Sequence, residues 1–333
     1  MKKVAVIALL AGLIVSSGAM SSWGRTARSS DLLEVLPDGN VAAIIDFQKL
    51  TGSSLWAAIT AHEKLKGEID KAQSTIGDLG VKLSDLRTVA IVFPAGKMTN
   101  PTIAMTGAFD QSDLLARLGA SSKVKLTSEK YKNYDIYRAK SMPAIAAQSK
   151  KGHPSMTAAN SDETAFVFHD ANTIVLGSAE GVRASIDVKT GAKPGVAKNE
   201  KLAGALAQNP TAAIRFALVI TPAMTSGLSS ELPIPDFSSV NLIFGTIDVS
   251  SGVDLNATLR SDTAEHAKSI ADRLNGLLEM AKGYLGSMSD PKLSPVVDAL
   301  KTVSITTVDV DVKVAGNVPM DLLNRLLPAS EKK

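Results

Sequence analysis

One order of elements is written twice in this chain, and that repetition constrains the fold more than any other feature. Residues 88–119, TVAIVFPAGKMTNPTIAMTGAFDQSDLLARLG, read as strand, Pro/Gly/Asn turn, strand, a polar cap at Asp110 or Ser112, and a helix closed by Gly119. Residues 240–276, VNLIFGTIDVSSGVDLNATLRSDTAEHAKSIADRLNG, repeat that order. Here a Ser-Ser-Gly turn precedes the second strand, Ser261 or Asp262 is the cap, and Ala267, Ile270, Leu274 and Leu277 share one helix face. The flanks correspond as well. VAAIIDF (41–47) and its following helix match AAIRFALVI (212–220); TAFVFHDANTIVLGS (164–178) and its helix match VSITTVDVDVKV (303–314) with VPMDLLNRLL (318–327).

Few residues coincide between the halves, so the correspondence lies in the order and character of elements. It predicts two tandem β-α-β-β-α-β-β-α modules, residues 37–200 and 201–333, in an α+β fold. Hairpin-linked strands imply mainly antiparallel sheets, and the alternation in YDIYRAK and VDVDVKV implies that helices pack on one face only. After the first strand, Leu55, Ile59, Leu65, Ile69, Ala72 and Ile76 recur at helical spacing, which predicts one long helix with His62 on its apolar stripe.

Residues 1–19 have the layout of a secretory signal peptide: Lys2 and Lys3, an apolar run from Val4 to Val15, then Ser17-Gly18-Ala19. Cleavage after Ala19 leaves residues 20–36 as a linker and places the protein in the periplasm or outside the cell. Left uncleaved, the leader is an N-terminal membrane anchor and the chain's membrane contact. No cysteine is present, which rules out a lipid-modified N-terminal cysteine, disulfide staples, thiolate metal sites and thiol catalysis. The mature chain must therefore rest on buried apolar surface, and at 45% hydrophobic residues it has enough. Loss of Lys2 and Lys3 lowers the formal net charge from +3 to +1, so overall charge selects no partner.

The segment nearest to a catalytic motif is TIVLGSAEGVRASIDVKTG (173–191). A nucleophile elbow needs glycines two before and two after its serine, but Gly177 and Gly181 stand one before and three after Ser178. A helix cap accounts for every residue: Ser178 accepts from a first-turn amide, Glu180 faces the positive helix end, Val182 and Ile186 are buried, and Lys189 and Gly191 close the helix. Among the histidines, His62 has Lys66 rather than a ligand one turn on, His169 precedes a turn at Ala171-Asn172, His266 sits on a solvated helix face, and His153 lies in a loop. Asp309 and Asp311 alternate with valines, so that as strand residues both carboxylates point to one side, where solvent is the ordinary neighbour and a hard cation the alternative. No catalytic, cofactor or metal residue is assigned, and no phosphate or dinucleotide loop is present.

Charge is uneven in one place. Residues 121–153 hold Lys123, Lys125, Lys130, Lys132, Arg138, Lys140, Lys150 and Lys151 against Glu129 and Asp135, interleaved with Tyr131, Tyr134 and Tyr137. Export removes nucleic acid as a partner, so Lys123, Lys125, Lys130, Tyr131, Lys132, Tyr134, Tyr137, Arg138 and Lys140 become candidates for an anionic envelope polymer or lipid headgroup. Solvated strands with snorkelling lysines explain the same residues without a ligand. Residues 141–162 and 229–239 lack periodicity and read as long loops.

The stretch TIVLGSAEGVRASIDVKTGAKPGVAKNEKLAGAL resembles a segment of uncharacterised exported bacterial proteins with duplicated β/α modules and a domain of unknown function. There, a strand ending in Gly-Ser leads into a helix, a Gly/Pro turn and a short apolar helix before the second module. The resemblance implies the architecture and transfers no activity. The expected function is thus non-catalytic binding of an envelope protein or polymer through sheet surface and loops. The alternatives are a carrier of an apolar ligand such as lipid, which needs an aliphatic cavity, and a hydrolase with an unfamiliar site.

Overall fold

The structure is a computed structural model. It describes residues 31–327 apart from 64, 68, 71–72, 74–80, 82, 97–98, 121–123, 141–162, 222–223, 225–237 and 289–292. Residues 1–19, expected as a leader, the expected loops 141–162 and 229–239 except Ser238 and Ser239, and Lys123 and His153 lie outside the described residues.

The strands are β1 (Val41–Asp46), β2 (Leu86–Phe93), β3 (Thr102–Gly107), β4 (Lys125–Tyr131), β5 (Tyr134–Lys140), β6 (Glu163–Asp170), β7 (Thr173–Gly177), β8 (Ile214–Val219), β9 (Val240–Asp248), β10 (Gly252–Ser261), β11 (Ser304–Val308) and β12 (Asp311–Pro319). The helices are α1 (Phe47–Thr51), α2 (Ser54–Ala61), α3 (Gln111–Ala120), α4 (Ala179–Lys189), α5 (Glu200–Leu206), α6 (Ala264–Ser287), α7 (Ser294–Lys301) and α8 (Met320–Leu326). All strands join one 12-stranded sheet in the order β11-β12-β10-β9-β8-β1-β2-β3-β7-β6-β5-β4. Every described pairing is antiparallel. The fold is α+β.

The halves meet at the centre, where Ala42 of β1 stands opposite Ala217 of β8. Outward from there the order is β1-β2-β3-β7-β6 on one side and β8-β9-β10-β12-β11 on the other, and β5-β4 extends the first side. Instead of two separate sheets there is one, and the boundary at 200/201 falls at the start of α5. Leu202, Ala205 and Leu206 of α5 bury into the same cluster as Ala42, Ala90 and Ile186, so the halves share a core.

Helices cover both faces of the first half, which corrects the expectation of one. On β1, β2, β6 and β7, alternate residues enter different clusters. Ala42, Ala90, Val167 and Val175 meet α4 and α5, while Val89, Phe166, Phe168 and Ile174 meet α2 and α3. The cause is readable in VAAIID and TVAIVF: continuous apolar runs belong to strands buried on both sides. Beyond β9 the expectation holds. Leu259, Val312, Val314 and Ile305 lie under α6, and the opposite face of β10, β12 and β11 carries Asn256, Thr258, Lys313 and Thr306.

Three local expectations change. Asp31–Val35, expected as linker, forms a 3-10 turn. Its Leu32 and the adjacent Leu36 are 1% and 0% exposed, because this segment closes the core over β2 and β3. The long helix breaks at His62, which is extended (φ −90°, ψ 109°), buried, and accepts from Lys66 N at 2.8 Å to start a new turn. Residues 303–314 form two strands, as the repeated order predicts, but the turn between them interrupts VDVDVKV, which reads by its alternation as one strand. Asp309 takes the left-handed conformation (φ 51°) in a two-residue turn, which aspartate tolerates better than most side chains. Asp309 and Asp311 therefore do not flank one site.

Candidate binding surface

Ser178 is a cap. Its backbone is extended (φ −68°, ψ 157°) and its Oγ accepts from Gly181 N at 3.1 Å. Gly181 is packed against β3, since a Cβ there would lie 2.4 Å from Thr102 Oγ1. Gly191 closes α4 in the left-handed region (φ 74°). Ser178→Ala is expected to lower stability by about 1 kcal/mol, checked by urea unfolding.

The histidine that does meet a serine is His169, and it meets Ser185. Ser185 Oγ donates to Val35 O at 2.5 Å, so it accepts from His169 Nε2, 2.7 Å away. His169 Nδ1 is buried without a hydrogen-bond partner among the described residues. Tyr134 meets the imidazole edge-on at 5.4 Å. Burial first, then the nearby Lys189 charge, push the His169 pKa down to about 4, against a smaller opposite pull from Asp170. Ser185 is wholly buried, so this pair fastens α4 and β6 to the segment at Val35 and offers no nucleophile to solvent. No local pattern announces it, because the contact joins residues 16 and 150 positions apart in the chain.

The described part of the basic segment is the hairpin β4–β5, and three of its five cations are paired. Lys130 pairs with Asp135 at 2.9 Å, and Lys132 with Asp187 at 2.6 Å. Arg138 reaches both oxygens of Glu129 at 2.9 and 3.0 Å, and Arg183 joins them at 2.7 Å. These guanidinium bonds hold the Glu129 carboxyl below its ordinary range, Arg138 contributing most. The Asp187 carboxyl is held down to about 2, chiefly by Lys132 and then by Tyr131 and Lys193. The tyrosines do not form one platform. Tyr137 stacks on Phe166 in one core, whereas Tyr131 and Tyr134 pack against the core on the opposite face. A shallow cavity of about 300 Å³ beside Tyr134 and Tyr137 is lined by Asp135 and Asp170, the wrong sign for an anion. Lys125 and Lys140 remain exposed, opposite each other in register.

A different surface is better arranged for a partner. Where α5 ends its cover of the sheet, a groove of about 410 Å³ opens, lined by Lys201 of α5, Gln208 just beyond its end, Asn241, Leu242 and Phe244 of β9, and Arg260 of β10. The open face of β10, β12 and β11 continues from it. Two cross-strand pairs hold part of it: Arg260 grips Asp311 through Nε and an Nη at 2.8 and 2.9 Å, and Asn317 donates to Asp254. The Arg260 guanidinium lies over the Phe244 ring at 5.6 Å, at the junction of groove and open face. Sequence reasoning placed the candidate surface on the basic segment and missed this one; the polar alternation in NATLR and DVKVAGN is the signal that could have found it. Among the described residues, no three His, Asp or Glu are grouped to hold a metal ion, and no helix is long and apolar enough to cross a membrane.

Fold and surface together define a class: an α+β protein with one broad antiparallel sheet, helices on both faces of one half and an open polar face on the other. No protein-family model matches the sequence, and no curated protein does. Among solved structures, the chain is similar to crystal form III of TP0453, at TM-score 0.50 and 11% identity, covering 89% of this chain and 97% of that one. Crystal form I of TP0453 is similar at TM-score 0.46 and 9% identity, covering 89% and 96%. At that identity the likeness concerns the fold alone.

Proposed function

We propose that this is a non-catalytic, exported cell-envelope protein that binds a protein or polymer partner through the open sheet face and the groove beside α5. The observation that carries the reading is the asymmetry of the second half. Beyond β9, helices α6, α7 and α8 lie on one side of the sheet, while on the other side the cover given by α5 to β8 and β9 stops and a polar, prearranged surface begins at the groove. Fixed cross-strand pairs lower the ordering cost of binding, because those side chains are already immobilised. The leader pattern of residues 1–19 supports export to the periplasm or beyond.

A second reading, the apolar-ligand carrier, has one observation in its favour. Of the 24 residues of α6, only Ala267, Ile270 and Ala271 are buried. Leu274, Leu277, Leu278 and Leu285 remain partly exposed, and so do Val296, Val297 and Leu300 of α7. Against it, both cavities described above are open and carry polar groups in their walls.

Native mass spectrometry of the protein purified from its own envelope separates the readings. A co-purifying protein or polymer that is lost from an Asn256→Arg/Lys313→Glu variant of unchanged melting temperature supports the binding module. Bound lipid in place of such a partner selects the carrier. A partner retained in full by the variant overturns the open face as its site.

A further inference from the structure

The two ends of the sheet are built differently. Strand β4 ends one side with Lys125, Glu129 and Lys130 along KLTSEKY, the charged dressing that keeps an edge from pairing. Strand β11, SITTV, ends the other side with no charge, no proline and an unbroken register to β12. Four of its five residues, Ser304, Thr306, Thr307 and Val308, are exposed, and Val308 at 48% is one of the few exposed large apolar side chains. An uncharged, regular, threonine-rich edge is a template for another strand.

The register says which backbone groups it offers. The β11–β12 hairpin closes on Val308 and Asp311 through a two-residue turn, and the facing pairs are Thr306 with Lys313 and Ser304 with Ala315. Hydrogen-bonded pairs alternate with open ones, so Ser304, Thr306 and Val308 turn their amides to β12, whereas Ile305 and Thr307 turn theirs outward. The bond from Asn275 Nδ2 of α6 to Ile305 O at 3.4 Å agrees, since it reaches that carbonyl from outside the β12 pairing.

We propose that β11 pairs antiparallel with β11 of a second copy of this chain, about a two-fold axis through Thr306. The strand is complementary to itself in this arrangement. Ile305 of each copy meets Thr307 of the other, and each such pair exchanges two backbone hydrogen bonds. Thr306 faces Thr306, and Ser304 faces Val308. The Lys301 end of one strand comes to the Asp309 end of the other, so the flanking charges are opposite in sign at both ends. Both residues are exposed. Thr306, Ser304 and Val308 lie on the open polar face, so pairing continues that face across both copies. A five-residue contact is small, and the dimer is accordingly weak and concentration-dependent.

Sedimentation velocity on the purified protein, up to about 1 mM, tests this. The wild type is expected to shift from monomer to dimer with concentration. Thr306→Lys and Thr306→Glu each place like charges across the axis and weaken dimerisation about fivefold or more, while their equimolar mixture restores it. Thr306 is exposed, so melting temperatures control for folding. A wild type that stays monomeric throughout, or a Thr306→Lys variant that dimerises like the wild type, overturns the proposal.

Discussion

Acidification from pH 7 to pH 4 is expected to destabilise the protein by about 3 kcal/mol through His169 alone. The folded state holds this imidazole at a pKa of about 4, and the unfolded chain returns it to about 6.5. Because the folded value is the lower one, the unfolded state takes up the proton first. The contribution is complete above about pH 6.5 and disappears as the pH falls towards about 4, with a limiting slope near 1.4 kcal/mol per pH unit. The geometry explains the direction. A second proton would sit on Nδ1, which is buried without an acceptor, while Nε2 already serves Ser185. Urea midpoints of wild type and His169→Gln across this range check the claim. The glutamine keeps a donor for Ser185 and cannot titrate, so the wild-type curve should fall more steeply. Parallel curves would exclude His169 as the cause.

Ile186→Ala is expected to cost about 2–5 kcal/mol, whereas Leu274→Ala costs less than about 1.5 kcal/mol. Ile186 is 0% exposed on α4, inside a layer that has the sheet beneath it and the Leu32–Leu36 segment beside it, so little can move into the space its side chain leaves. Leu274 lies partly exposed on α6 at the two-layer end, where water already reaches the side chain. Equilibrium unfolding of the two variants measures the difference between a sheet covered on both faces and one covered on one. Equal losses would mean that the layers do not divide the molecule as described.

How much was legible in advance depended on the range of the interactions involved. The cap at Ser178 was legible because a serine, the amide three residues later and the closing glycine are all local. The strands from VAAIID to SITTV and their hairpin partners were legible from β-branched runs and turn residues. Burial on both faces was also written in AFVF and TVAIVF, but the alternation in YDIYRAK and in VDVDVKV, the latter a hairpin turn running into β12, pointed the other way. Both segments lie near the two ends of the sheet, where cover is thinner, and do not represent its middle. The basic segment was misleading for a related reason. A sequence shows that Lys132, Arg138 and Arg183 are cations but not that Asp187 and Glu129 stand within ion-pair distance of them.

The amino-acid order by itself determined what each segment is: strand, turn, capped helix, and a chain without cysteine that must bury apolar surface. Those properties follow from backbone preference and from contacts within a few residues. Only the tertiary structure decided that β1 meets β8 to fuse the halves into one sheet, that His169 finds Ser185 and Val35, and that one face beyond β9 stays bare. Each of these depends on which distant surfaces pack together, and a list of local preferences leaves that choice open.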